Sequence, residues 1–177
     1  MFYRYRFVWV AVVLLVTAGA VVLFTGRPGE EPADLPAQLA TRMRVTLEQA
    51  DPGQHHHAGH DVAQARGVIC GVRVYGYEPA GVTTLAEVRT VFGFHFCGVA
   101  EEARPWDVAV KLAGPVILDL AQEPPGIQVV EATAGVKFVD RLREMFPPKY
   151  AELALTQTLT DQEMTDLRRR YDDAAGL

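Results

Sequence analysis

The chain reads as an α+β domain carried behind a membrane anchor. Three observations predict it. An uncharged apolar run fills positions 7–24, two long central stretches alternate with a period of two, and the segments flanking them repeat apolar residues every three or four positions. A helix, then consecutive strands, then helices, without a βαβ alternation, is the element order of the α+β class. At 177 residues there is room for one ordinary domain plus an appendage.

The anchor lies in "MFYRYRFVWVAVVLLVTAGAVVLFTGRPGEEP". Eighteen uncharged residues from Phe7 to Phe24 make about 27 Å of helix, close to the ~30 Å hydrocarbon core. Arg4 and Arg6 precede the run, with Tyr3, Tyr5 and Trp9 as interfacial anchors, and Glu30 and Glu31 follow it. The positive-inside rule then divides the chain into a cytoplasmic end (1–6), a transmembrane anchor (7–25), a linker (26–33) and an extracytoplasmic domain (34–177). A cleaved signal peptide is the competing reading, since "TAGA" at 17–20 mimics a cleavage site. The apolar "VVLF" beyond it favours an uncleaved anchor. Past residue 27 the chain loses three of its 17 basic residues and none of its 22 acidic ones, so that part carries a net charge of −8. Such a domain is expected to stand off an anionic bilayer surface on its Pro- and Glu-containing linker.

Each element of the domain has its own signal. Asp34 is a plausible N-cap for a helix with Pro36 in its first turn and Leu39, Met43, Leu47 and Ala50 on one stripe, and "DPG" at 51–53 stops it. From Val68 the period changes to two, with Val68, Cys70, Val72 and Val74 on one face and Ile69, Arg73, Tyr75 and Tyr77 on the other. The stretch "EVRTVFGFHFCGVAE" sets Phe92, Phe94 and Phe96 against Val91, His95, Cys97 and Val99, and the turn-rich "EPAGVTT" joins the two runs into an antiparallel hairpin. "WDVAVKLAGPVILDLA" predicts a third strand, interrupted or bulged at Gly114-Pro115 because Pro cannot donate to a central ladder. "GIQVVEA" predicts a short fourth. Two helices close the chain. The first carries Val136, Val139, Leu142 and Phe146 on its stripe and ends at a Pro pair. The second opens on a capping box, Thr160 and Glu163, and holds Met164, Leu167 and Tyr171 on a narrow stripe. In it, Asp166 and Arg170 have the spacing of an i,i+4 pair, and the Arg168–Arg170 run reads as a solvated face. The expected architecture is a helix packed on one face of a four-stranded antiparallel meander, cystatin-like or NTF2-like.

Several function classes are excluded by composition. The chain contains no serine and no asparagine, which removes Ser nucleophiles, the Asn-containing Cys–His site and N-x-[ST] glycosylation. No basic patch suggests nucleic acid. Its 14 Arg against 3 Lys point to a GC-rich genome of actinobacterial type.

Cys70 and Cys97 are the only cysteines. If the hairpin pairs residues whose numbers sum to 167, they face each other directly, and a disulfide closes 26 intervening residues in a compartment where disulfides persist; a redox pair or thiolate metal ligands are the alternatives, the redox pair the weaker because there is no C-x-x-C. That register also places Phe92, Phe94 and Phe96 on one aromatic face with Tyr75 and Tyr77.

"GQHHHAGHD" at 53–61 holds four of the five histidines, His55, His56, His57 and His60, beside Asp61. Neutral imidazole ligates Zn, Cu and Ni. Pro52, Gly53 and Gly59 argue against a helix here, and the Glu of an H-E-x-x-H site is missing, so either a solvated loop or a weak chelate through His55, His57, His60 and Asp61 is expected, with Zn or Cu as candidate ions. His95, mid-strand between two Phe residues, reads as a sheet-face residue. Glu101, Glu102, Asp107, Asp119 and Glu123 fall at strand ends and loops with no spacing that singles out a catalytic pair. Trp106 in "PWD" is a plausible cap on the core.

The block "AEVRTVFGFHFCGVAEE…WDVAVKLAGPVILDL…PPGIQVVEA…FVDRLREMFPP", about residues 86–148, resembles a type of exported protein encoded by actinobacteria. That resemblance implies an envelope-facing placement and no catalytic residues. The functional expectation is a single-pass, membrane-tethered binding or assembly module with an envelope protein partner. Metal binding through the His loop is the alternative, and an enzyme using loop carboxylates the third.

Overall fold

The computed structural model describes residues 34–50 and 65–177. The anchor, the linker and the His loop lie outside the described residues. Among the described residues, no helix is long and apolar enough to cross a membrane. Asp34–Leu177 forms a unit of its own.

Helix α1 (Leu35–Gln49) starts where the sequence signals it: the Asp34 carboxylate accepts from the Ala37 N–H at 3.1 Å, and Pro sits in the first turn. Four antiparallel strands follow, β1 (Ala65–Glu78), β2 (Thr90–Glu101), β3 (Lys111–Asp119) and β4 (Gly126–Val129), in the meander order β1-β2-β3-β4. Helices α2 (Phe138–Met145), α3 (Pro148–Thr156) and α4 (Asp161–Ala175) complete the chain. The α+β class, with a four-stranded antiparallel sheet, is as expected.

The hairpin register is the one inferred from the cysteines, from Val68↔Val99 through Cys70↔Cys97 to Val74↔Gly93. It does not run to the end. A shift between Val74 and Gly76 pairs Gly76 with Phe92 and Tyr77 with Val91. This bulge moves Tyr77 across the sheet. Tyr77 packs with α1 and Val91, while Tyr75 stays with Phe92. The aromatic face is therefore Tyr75, Phe92, Phe94 and Phe96, without Tyr77.

At Gly114-Pro115 the expected interruption is absent. β3 pairs with β2 in one unbroken register, Phe94 opposite Pro115. The Pro115 carbonyl accepts from Val130 N–H at 3.1 Å, so its backbone polar groups face the β4 side, at the sheet's edge. No bond to β2 is lost there by lacking an N–H.

Both sheet faces are covered, not one. On the first, Leu39, Met43 and Leu47 of α1 bury against Cys70, Val91, Cys97, Val116 and Leu118. On the second, Leu142, Phe146, Tyr150 and Ala151 of the α2–α3 region pack on Phe92, Ile117 and Val130. Beside them Leu167, Tyr171 and Ala175 of α4 pack on Ala100 and Trp106 and against Phe94 and Phe96. Val139, expected on the buried stripe of α2, is 36% exposed, and the buried residues there are Leu142 and Phe146.

The Pro pair at 147–148 ends α2 as expected, and it also opens a helix absent from the sequence reading. Pro148 is the first residue of α3, where a missing N–H is harmless and φ is already helical. α3 delivers Tyr150, whose ring stacks on Phe92 at 5.0 Å. A Cβ on Gly76, the residue after the bulge, would lie 2.2 Å from Tyr150 Cε1, so any larger residue there requires the ring to shift.

Candidate functional site: the β1 edge and its surroundings

Cys70 and Cys97 form a disulfide, with Cα atoms 4.1 Å apart across the β1–β2 pair. Cys70 is fully buried and Cys97 is 8% exposed, both under α1. The register sets the two cysteines directly opposite each other, which brings their side chains together on one face of the sheet.

Cys70 is tied by its backbone as well. β1 is an edge strand, and on its open side the Cys70 N–H donates to Glu48 Oε1 at 3.0 Å while the Cys70 carbonyl accepts from Arg170 Nη1 at 2.9 Å. Arg170 Nη2 donates in turn to Glu48 Oε1. Glu48 is in the last turn of α1 and Arg170 is in α4, so the pair joins helices that lie on opposite faces of the sheet. Their side chains are 20% and 28% exposed, partly withdrawn from solvent. The sequence reading assigned Arg170 to Asp166 and to a solvated face. In the structure Asp166 instead pairs with Arg169, at 2.9 Å, and accepts from Gln162.

A second charged contact holds α4 to the sheet. Arg73 donates through Nε and Nη2 to Glu163 Oε2 at 3.1 and 2.8 Å. The same carboxylate accepts from Thr160 N–H at 2.6 Å, while Thr160 Oγ1 accepts from Glu163 N–H at 3.2 Å, so the expected capping box is formed and doubles as a tether to β1.

Two tyrosine hydroxyls are committed to backbone carbonyls toward opposite ends of β2. Tyr75 donates to the Gln157 carbonyl at 2.5 Å, and burial pushes its hydroxyl up to about 12, against a smaller opposing pull from Arg73. Tyr171 is buried and donates to the carbonyls of Val99 and Arg104 at 3.3 and 3.0 Å; burial, with Glu101 nearby, raises its pKa. Trp106 is buried edge-on between Phe96 and Tyr171, at 5.2 and 5.1 Å, which is the core-capping role expected of it.

The loop carboxylates do not converge. Glu101 is engaged by Arg104 at 2.5 Å, Glu102 by Arg66 at 2.6 Å, and Asp107 lies 3.9 Å from Arg168. Asp119 accepts from the Ala121 N–H at 2.9 Å and from Gln122 at 2.5 Å, shaping the β3–β4 turn. The nine residues of β3 separate Asp107 from the Asp119–Glu123 group, a span of about 27 Å.

His95 is 1% exposed on the α1-facing side of the sheet, between Val72 and Gly114, the face it was expected to share with Cys97. His55, His57, His60 and Asp61 lie outside the described residues. Among the described residues no group of three His, Cys, Asp or Glu side chains is placed to hold a metal ion.

No family model, curated protein or solved structure matches the chain. The account of what it does therefore rests on its own residues.

The sequence indicates neither the Glu48–Arg170 pair nor the Arg73–Glu163 contact. Glu48 and Arg170 are 122 positions apart. The only hint in the chain is an Arg one turn beyond the Met164–Leu167 stripe, on the side of α4 that meets the sheet.

Proposed function

We propose that the chain is a single-pass, membrane-tethered module that binds an envelope protein outside the membrane, with its N-terminus cytoplasmic and Asp34–Leu177 extracytoplasmic. The apolar run at 7–24 behind Arg4 and Arg6 supports the tether and its direction. A disulfide suits an oxidising compartment. The observation that carries the binding role is at the surface. Both sheet faces are filled by helices, while Phe138 and Val139, adjacent on α2, are each 36% exposed. Of the two, Phe138 supports the reading, since aromatic side chains are enriched at protein interfaces relative to the rest of the surface. The finer architectural expectation, cystatin-like or NTF2-like, belongs to the same proposal; α1 lying across the meander supports it, and α2–α4 are additions on the second face.

Photo-crosslinking from position 138 in intact cells tests this. One defined adduct at position 138, lost when the probe is moved to the exposed Asp161 position, is the expected result. Equal or absent adducts at both would overturn the binding role.

A second reading is favoured by the density of histidine at 55–60: extracytoplasmic binding of Zn or Cu through His55, His57, His60 and Asp61. Calorimetric titration of the full chain in detergent with Zn²⁺ or Cu²⁺, against a variant with His55, His56, His57 and His60 all changed to Ala, decides it. Equal affinities would sink it.

A further inference from the structure

β1 is the longest strand, 14 residues, and lies at an edge of the sheet. Such an edge invites pairing with another chain, and proteins commonly blunt it with Lys or Pro. The opposite edge has those devices: β4 is four residues long, and the β3 segment beyond it carries Lys111 and Pro115. Ala65–Glu78 contains neither Lys nor Pro, and its two register shifts fall toward its ends, between Ala65 and Gly67 and between Val74 and Gly76, so the stretch 67–74 around Cys70 keeps a regular edge.

What occupies the β1 edge at its middle is the Glu48–Arg170 pair. A neighbouring strand would offer Cys70 one acceptor for its N–H and one donor for its carbonyl. Glu48 Oε1 supplies the acceptor and Arg170 Nη1 the donor, and the two are joined to each other. Cys70 is meanwhile fixed on its other side by the disulfide to Cys97. We propose that this pair is a latch standing in for a fifth strand, closing the β1 edge against strand addition by a second copy of this chain.

The latch differs from an ordinary ion pair in what it requires. It needs an acceptor at 48 and a donor at 170, not merely opposite charges. Glu48→Gln keeps an acceptor and leaves Arg170 a partner. Glu48→Ala removes both. Reversing the pair, with Glu48→Arg and Arg170→Glu together, preserves the attraction but presents a donor to the Cys70 N–H and an acceptor to its carbonyl.

The test is amide hydrogen exchange at Cys70 in the full chain held in mild detergent, with light scattering for oligomeric state. In Glu48→Ala the Cys70 amide should exchange roughly tenfold faster or more, as expected for losing a charge-assisted bond, and the chain should dimerise. Glu48→Gln should remain monomeric and within about threefold of wild type, since its amide oxygen still accepts. The reversed pair should behave like Glu48→Ala. Unchanged exchange in Glu48→Ala, or wild-type protection in the reversed pair, would overturn the latch. Fast exchange without dimers would overturn its role against strand addition. If Glu48→Ala does not fold, Glu48→Gln decides: loss of Cys70 protection there refutes the acceptor role.

Discussion

Tyr75 shows how one side chain links sheet, loop and pH. Its hydroxyl donates to the Gln157 carbonyl, and burial raises its folded pKa to about 12 from the ordinary 10. For a group whose folded pKa is raised, the stabilisation is complete below the unfolded pKa and is lost as pH rises through the folded value. The domain should therefore hold its stability to about pH 10 and lose it progressively toward pH 12. Tyr75→Phe should flatten that decline, as read by urea midpoints at pH 9 and pH 11; an equally steep decline in the variant would remove Tyr75 as its cause. A steric case sits next to it. Gly76→Ala puts a methyl group 2.2 Å from Tyr150 Cε1, and overpacking of this kind costs about 1–3 kcal/mol. Urea unfolding at neutral pH checks it, and a change below 0.5 kcal/mol, the spread of ordinary surface substitutions, would mean that the ring moves freely. Neither residue stood out in the sequence. Period-two alternation identifies the faces of a strand but carries no mark for a bulge, so Tyr77 was assigned to the face it leaves. The facing pair Cys70–Cys97 was legible because a covalent partner leaves few registers open once two strands are recognised.

Among the elements, α4 depends most on its ends. Its N-terminus is closed by the Thr160–Glu163 box, and Glu163 also holds Arg73 of β1. Thr160→Ala should cost about 1 kcal/mol, the usual price of a lost N-cap. Glu163→Ala should cost more, because it removes the reciprocal bond of the box and the Arg73 contact together. Thermal unfolding of the two variants checks the order, and equal losses would show that the Arg73 contact contributes nothing. The β1–β2 hairpin depends on its disulfide. Changing both cysteines to Ala should lower stability by about 3 kcal/mol for a loop of this length. Unchanged stability after that substitution would place the hairpin's strength in its packing instead. α1 and α4 were legible because each has a cap, a stripe and a length of 15 residues. α3 was not. It has nine residues, and the Pro pair that marks its start is equally a stop signal for the helix before it. The latch was hidden for a different reason: nothing local in either α1 or α4 indicates which strand edge the two helices share.

At the scale of the whole Asp34–Leu177 unit, one four-stranded sheet is clad on both faces, and its longer edge strand is held at Cys70 by a pair of side chains reaching round from the two sides. The class was legible from element order. The second cladding layer was not, since alternation shows only that a strand has two different faces, and Phe92, Phe94 and Phe96 could belong to a pocket as well as to a helix interface. Among the described residues, Glu101, Glu102 and Asp107 face arginines at the surface and Asp119 shapes a turn. Under the proposed function, the chain offers a partner the surface of this domain, presented by its anchor. That account stands on where the domain sits. Full-length chain in intact cells, followed by membrane fractionation and by protease added to spheroplasts, tests it most directly. A tethered, extracytoplasmic domain should stay with membranes through a carbonate wash and be cut by the added protease. A chain recovered in the cytoplasmic fraction, or a domain digested only after the membrane is broken, would contradict it.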